Sequence, residues 1–162
     1  MRKLCLLFLL IGTYCYAGEK KYTVDSPDGK IQLAIIQTDA GELTYQLAVK
    51  RKQVIDASAL GFKTEDGLTF PFRGWKMGKV TRNKVNSVWK PLWGKRAVVP
   101  DKYNEMKLSF VNEAKSSDAL EVVARAYNEG VAFRYVLPQG TGSALELTTF
   151  NFTGDYTAWF YN

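Results

Sequence analysis

Ala126-Tyr127-Asn128-Glu129-Gly130-Val131-Ala132-Phe133-Arg134-Tyr135-Val136-Leu137 is the stretch whose reading decides the fold. Asn128-Glu129-Gly130 reads as a turn, because Gly tolerates positive φ and Asn accepts it better than most residues. After the turn, Val131, Phe133, Tyr135 and Leu137 share one face, and Ala132, Arg134 and Val136 share the other. Before it, Leu120, Val122, Ala124 and Ala126 keep the same period. A period of two on both arms describes an antiparallel hairpin with one face on a core.

Working outward, the same grammar recurs. Tyr22 to Val24 begins a strand, and Ser26-Pro27-Asp28-Gly29 turns the chain. Ile31, Leu33 and Ile35 alternate, Asp39-Ala40-Gly41-Glu42 turns, and Leu43, Tyr45, Leu47 and Val49 alternate again. Lys50-Arg51-Lys52 reads as a turn into a short strand from Val54 toward Phe62, and Glu65-Asp66-Gly67 as another turn. Trp75 to Asn86 favours strand through Val80, Thr81 and Val85. Trp89 to Asp101 reads as irregular, because Pro91 and Pro100 cannot serve central strands. Met106, Leu108 and Phe110 resume the alternation, and Ser116-Ser117-Asp118 turns toward Leu120. Leu145, Leu147 and Thr149 suggest one more strand, with Phe150 and Phe152 shifted to another face by a bulge. Roughly ten short strands with regular turn signals, and no helical stripe, predict an all-β antiparallel sandwich.

The chain has 162 residues, 46% of them hydrophobic, enough for one domain with its own core. Residues 1–17 read as a signal peptide: Arg2-Lys3 is the charged start, Leu4 to Ile11 the apolar run, and Cys15-Tyr16-Ala17 the cleavage site. Lipidation at Cys15 is the weaker reading, because Tyr14 stands where a small residue is wanted. The domain then spans 18–162, secreted, with a bacterial periplasm as the expected compartment and no membrane attachment after cleavage. Both cysteines fall inside the leader and the chain has no His, so thiolate and imidazole metal sites and a Ser-His-Asp set are excluded. Removing Arg2 and Lys3 from 22 basic residues leaves 20 against 16 acidic ones, a net charge of +4. Lys76, Lys79, Arg82, Lys84 and Lys90 could imitate a nucleic-acid stripe, but a solvated face of a secreted protein is the better reading, and no nucleic-acid partner is expected.

Most carboxylates sit in turns, where surface turn chemistry accounts for them. Glu105 differs: it follows Tyr103-Asn104 and directly precedes a core strand, so it is either a site residue or a carboxylate held by backbone N–H groups. Trp89 and Trp93 lie four apart in a Pro-containing segment. Their faces can stack on sugar C–H groups, with Asn or Glu binding hydroxyls, or they can plug one end of the sandwich. Thr157-Ala158-Trp159-Phe160-Tyr161-Asn162 is an apolar, aromatic end, unlike the usual polar terminus, and reads as a strand cut within something larger.

Six pieces in order resemble the N-terminal domain of glycoside hydrolase family 97, secreted bacterial α-glucosidases and α-galactosidases. They are Ser26-Pro27-Asp28-Gly29-Lys30, Gly41-Glu42-Leu43-Thr44-Tyr45, Trp89-Lys90-Pro91-Leu92-Trp93-Gly94, Tyr103-Asn104-Glu105, Tyr127 to Tyr135, and Phe152 to Trp159. Tyr127 and Glu129 depart mildly, standing where Phe and Asp are expected. The resemblance implies a β-super-sandwich that packs on a (β/α)₈ barrel, and a calcium ion in the complete enzyme's active site. No catalytic acid or base is expected in this chain, and its calcium ligands are unknown. Trp89, Trp93, Asn104, Glu105 and Trp159 become candidates for the barrel interface or the rim of an α-linked oligosaccharide site. A free-standing carbohydrate-binding module is the rival, and a partner of a separately encoded barrel a third reading. An incomplete sandwich also implies poor solubility of the isolated domain.

Overall fold

The computed structural model describes residues 18–65, 67–71, 75–112, 119–157 and 159. The leader, Asp66, the turn at Ser116-Ser117-Asp118, and residues 158 and 160–162 of the aromatic end lie outside the described residues. The described elements are all strands: β1 (Lys20–Asp25), β2 (Ile31–Gln37), β3 (Leu43–Val49), β4 (Lys52–Ala59), β5 (Phe62–Thr64), β6 (Thr69–Phe70), β7 (Trp75–Trp89), β8 (Val99–Asn112), β9 (Ala119–Ala126), β10 (Val131–Val136), β11 (Ala144–Glu146) and β12 (Asn151–Phe152).

They form three antiparallel sheets: β1-β2-β3-β4-β12, β10-β9-β8-β7, and the small β11-β5-β6. The first two face each other as a sandwich. Val24, Leu33, Ile35, Leu43, Tyr45 and Ile55 meet Met106, Leu108, Phe110, Leu120, Val122 and Ala124 in one buried cluster. The alternation that names these residues in the sequence is the physical reason they share a face. The small sheet seals one end of the core. Its Phe70 ring packs against Phe62, Trp75 and Phe110, with centroids 5.5, 5.5 and 5.2 Å away. Truncating that ring to Ala would cost about 3–5 kcal/mol, because so close a cluster cannot collapse into the void.

The diagnostic hairpin stands as read. β10 pairs β9 from Val131–Ala126 to Val136–Glu121, and Val131, Phe133 and Tyr135 turn inward. Its turn differs in one respect. Gly130 has no positive φ, and the loop closes through the Tyr127 N–H donating to the Gly130 carbonyl at 2.8 Å. Positive φ appears instead at Lys50 and Arg51 (50° and 67°), the two loop residues between β3 and β4. That pair of left-handed residues defines a type I′ hairpin, unusual without Asn or Gly.

Two further expectations need correction. Pro100 lies inside β8, opposite Val88. It is tolerated there because β9 covers β8 only from Asn104 to Val111, so β8 is an edge at Pro100. β7 and β8 thus run beyond their sheet as a two-stranded ribbon. The second correction concerns residues 144–153, which form no single bulged strand. They cross from one sheet to another: β11 pairs β5, and β12 pairs β4. Backbone bonds from Leu147 to Gly61 and from Thr149 to Ala59 stitch the crossing, and the Tyr45 hydroxyl donates to the Thr149 carbonyl at 2.9 Å. Leu145, Leu147, Phe150 and Phe152 are left exposed along this strap.

Candidate functional site

The ribbon carries the tryptophans. Trp89 closes β7, and Trp93 sits in the irregular tip between β7 and β8. The period of two ends at the tip, where Pro91 removes a backbone donor and Gly94 takes a φ of 132°. Trp89 is 54% exposed, Trp93 88% and Leu92 fully exposed. The tryptophans therefore plug no end of the sandwich. Burying these side chains would be worth about 1.5–3 kcal/mol each, so the tip holds unspent binding energy. Trp159 is 92% exposed, beside a strap that exposes Phe150, Phe152 and Tyr156.

Asn104 and Glu105 go to opposite faces of β8. Asn104 shares the core-side face with Lys84 and points at the outer edge of β1, where its Nδ2 donates to the Asp25 carbonyl at 2.7 Å. Arg82 does the same one step along, its Nη2 donating to the Thr23 carbonyl at 3.1 Å. Between β1 and this pair lies an open cleft of about 650 Å³ that Glu105 also borders. Alternate carbonyls of a strand point to the same side, so these two donors satisfy consecutive outward carbonyls of an edge strand. Asn104 is thereby committed to a structural bond.

Glu105 faces outward beside Arg125, its register partner on β9. Arg125 Nε donates to Glu105 Oε2 at 2.8 Å, and the guanidinium lies 4.3 Å from the centre of the Tyr103 ring. The bond to Glu105 raises the Arg125 pKa further above its ordinary value. Glu105 is held by this side chain, not by the backbone N–H groups of the second expectation. Neither Arg125 nor the capping role of Arg82 was visible in the sequence. The signal is register, which places residues 20 positions apart side by side.

The Ser26-Pro27-Asp28-Gly29 turn is self-contained. Ser26 Oγ donates to Asp28 Oδ1 at 2.6 Å and accepts from the Lys30 and Ile31 N–H groups. The hydroxyl bond, then Lys30, lowers the Asp28 pKa from 3.8 to about 2. The Asp28 N–H donates to Asn128 Oδ1 at 3.1 Å, which joins this turn to the diagnostic hairpin. Among the described residues no three histidine, cysteine, aspartate or glutamate side chains gather to hold a metal. The described residues also contain no helix long and apolar enough to cross a membrane.

The arrangement gathers exposed aromatic surface on a ribbon and a strap, and it engages its best-placed polar groups in structural bonds. Over residues 24–162 the chain matches the family described as Glycosyl-hydrolase 97 N-terminal. It is 30% identical over 155 residues to a probable retaining alpha-galactosidase of Streptomyces bingchenggensis, covering 93% of this chain and 24% of that protein. With a retaining alpha-galactosidase of Bacteroides thetaiotaomicron it shares 26% identity over 162 residues, 98% of this chain and 23% of the relative. A glycoside hydrolase family 97 enzyme of Pseudoalteromonas sp. strain K8, solved in complex with panose, superposes with a TM-score of 0.71 at 33% identity. That match covers 82% of this chain and 20% of the enzyme. The chain thus spans about a quarter or less of the length of these relatives.

Proposed function

Because the chain belongs to the glycosyl-hydrolase 97 N-terminal family, we propose that it is the N-terminal domain of a secreted α-glycosidase, packing against the catalytic (β/α)₈ barrel and bordering its sugar site. The observation that carries this reading is the exposed aromatic surface of the ribbon tip and the strap. Isolated exposed apolar residues are ordinary, but Val88, Trp89, Leu92, Trp93 and Val98 are all exposed within one hairpin end, a local density of apolar surface suited to a protein partner. The substrate of the complete enzyme is an α-linked oligosaccharide; relatives from Pseudoalteromonas have been solved with panose and with acarbose. Calcium belongs to the complete enzyme of the family. Residues 1–17 direct the chain to the periplasm, and the exported product begins at Gly18.

Grafting tests the reading. Residues 24–162 replace the matched segment of the Pseudoalteromonas enzyme, and kcat/KM is measured on panose. In a hybrid that melts cooperatively, Trp89→Ala with Trp93→Ala should lower kcat/KM at least tenfold. An unchanged kcat/KM in such a folded hybrid refutes the docking role. The exposed tryptophans also favour a second reading, a free-standing carbohydrate-binding module. Saturable quenching of tryptophan fluorescence by panose or an α-galactoside, in the isolated chain, would establish it.

A further inference from the structure

Strand edges are where this molecule reveals what it expects to meet. An unpaired edge invites another strand, and proteins blunt such edges with lysines, bulges, short strands or covering groups. Each device is present here. β1 has its outward carbonyls at Thr23 and Asp25 capped by Arg82 and Asn104. β7 carries Lys76, Lys79 and Lys84 and a register shift between Met77 and Val80. β12 and β6 have two residues each, and β11 has three.

β10 has none of these. It runs six residues, Val131–Val136, without proline, glycine or bulge, and Arg134 is its one charge. The Tyr127-to-Gly130 bond makes Ala126–Val131 a non-hydrogen-bonded pair. The ladder alternates, so the N–H and C=O groups of Val131, Phe133 and Tyr135 point away from β9. Among the described residues they meet no backbone partner. A shallow depression flanks this edge on each face. One, about 230 Å³, is bounded by Val123, Arg125 and Tyr127, and the other, about 300 Å³, by Phe62, Leu137 and Ala144. An added strand places alternate side chains on opposite faces, and two depressions on opposite faces match that demand.

We infer that the β10 edge receives an extended segment supplied by the remainder of a family 97 enzyme, added to the β10-β9-β8-β7 sheet as a further strand. The inference rests on the proposed docking role and deepens it. A second copy of this chain fits less well. Six residues span about 20 Å, and three outward residues make a contact well below the ~1,000 Å² a stable interface needs. Such a contact holds when the segment is already kept nearby at high effective concentration, as in one enzyme or one docked complex. The relatives carry the additional chain, since the matched region is about a quarter or less of their length.

Overlapping twelve-residue peptides from the rest of the Bacteroides relative serve as the probe, titrated at millimolar concentration into the exported form of this chain. Backbone NMR with amide exchange is the readout. The expected result is one segment that slows exchange at Val131, Phe133 and Tyr135 at least tenfold. Val131→Pro removes an outward donor after a permissive Gly, and should weaken that binding at least tenfold while the β9 amides stay protected. A wild-type chain whose peptides shift only the Trp89 and Trp93 indoles overturns the edge inference and leaves the docking reading standing. No response at either place overturns both. Protection of the three amides by concentration alone, without peptide, identifies a second copy as the occupant and also overturns the inference.

Discussion

Replacing Glu105 by Gln separates a structural carboxylate from a ligand-binding one. The variant keeps the side chain's shape and removes its charge. In the native domain Arg125 donates to Glu105 across 2.8 Å, and the two side chains are 35% and 15% exposed. A hydrogen bond between charged groups contributes about 1.5–3 kcal/mol when sheltered. Exposed pairs contribute about 0.2–1 kcal/mol, and a guanidinium one-third open to water is partly screened. The loss for Glu105→Gln is therefore about 1 kcal/mol, or about 2–4 °C in Tm for a domain of this size. Arg125→Met costs more, about 2 kcal/mol, because it also removes the cation from the Tyr103 ring and leaves a mostly buried carboxylate alone. Urea unfolding followed by tryptophan fluorescence measures both variants and their combination. The double-mutant cycle should return a coupling of about 1 kcal/mol. A Glu105→Gln variant within about 0.3 kcal/mol of the parent, with no coupling, would refute the structural assignment and return Glu105 to the list of possible sugar ligands.

Three further outcomes follow from local geometry. Lys50→Asn with Arg51→Gly should raise stability by about 1 kcal/mol in thermal melts: left-handed φ at each L-residue costs about 1–2 kcal/mol, and the new Gly returns about 0.5–1 of the gain. Gly61→Ala should unfold the domain or lower its Tm sharply, since the new Cβ would stand 2.5 Å from the Phe70 carbonyl oxygen and 3.1 Å from Pro71 Cδ. Asp28 has a folded pKa lowered from 3.8 to about 2, so its contribution is complete above the unfolded value and is lost as pH falls through the folded one. The Tm difference between the parent and Asp28→Asn should be constant above pH 5, shrink as pH falls, and approach its low-pH limit only below about pH 1.

The sandwich was legible because its information is local. Leu120, Val122, Ala124 and Ala126 alternate against Val131, Phe133 and Tyr135, and the shared period turns all seven toward one core. Trp89 and Trp93 were legible as unusual because Pro91 between them interrupts any strand that could carry both. What escaped was long-range. The bond between Glu105 and Arg125, and the capping of Asp25 by Asn104 from 79 positions away, depend on register between distant strands. The stretch from Leu145 to Phe152 misled because its apolar residues suggest one strand, whereas its backbone bonds divide between β5 and β4. Pro100 misled because a strand can be central along one part and peripheral along another.

The strap at residues 144–153 sets a clock for folding. Most strands find partners next to them in sequence, as β1 does with β2 and β9 with β10. The strap instead closes contacts between residues separated by 93 positions at Asn151–Ser58 and 104 at Thr149–Tyr45. Loops that long close late, so β4 waits for its cover until the segment near Asn151 is available. Interactions formed after the rate-limiting step govern how fast the native state comes apart. Asn151→Ala, which removes the Nδ2 bond to the Ala57 carbonyl, should accordingly accelerate unfolding in stopped-flow measurements while refolding keeps its rate. The seam that opens first would then be the β4 edge, and the strap is the latch that determines the domain's lifetime.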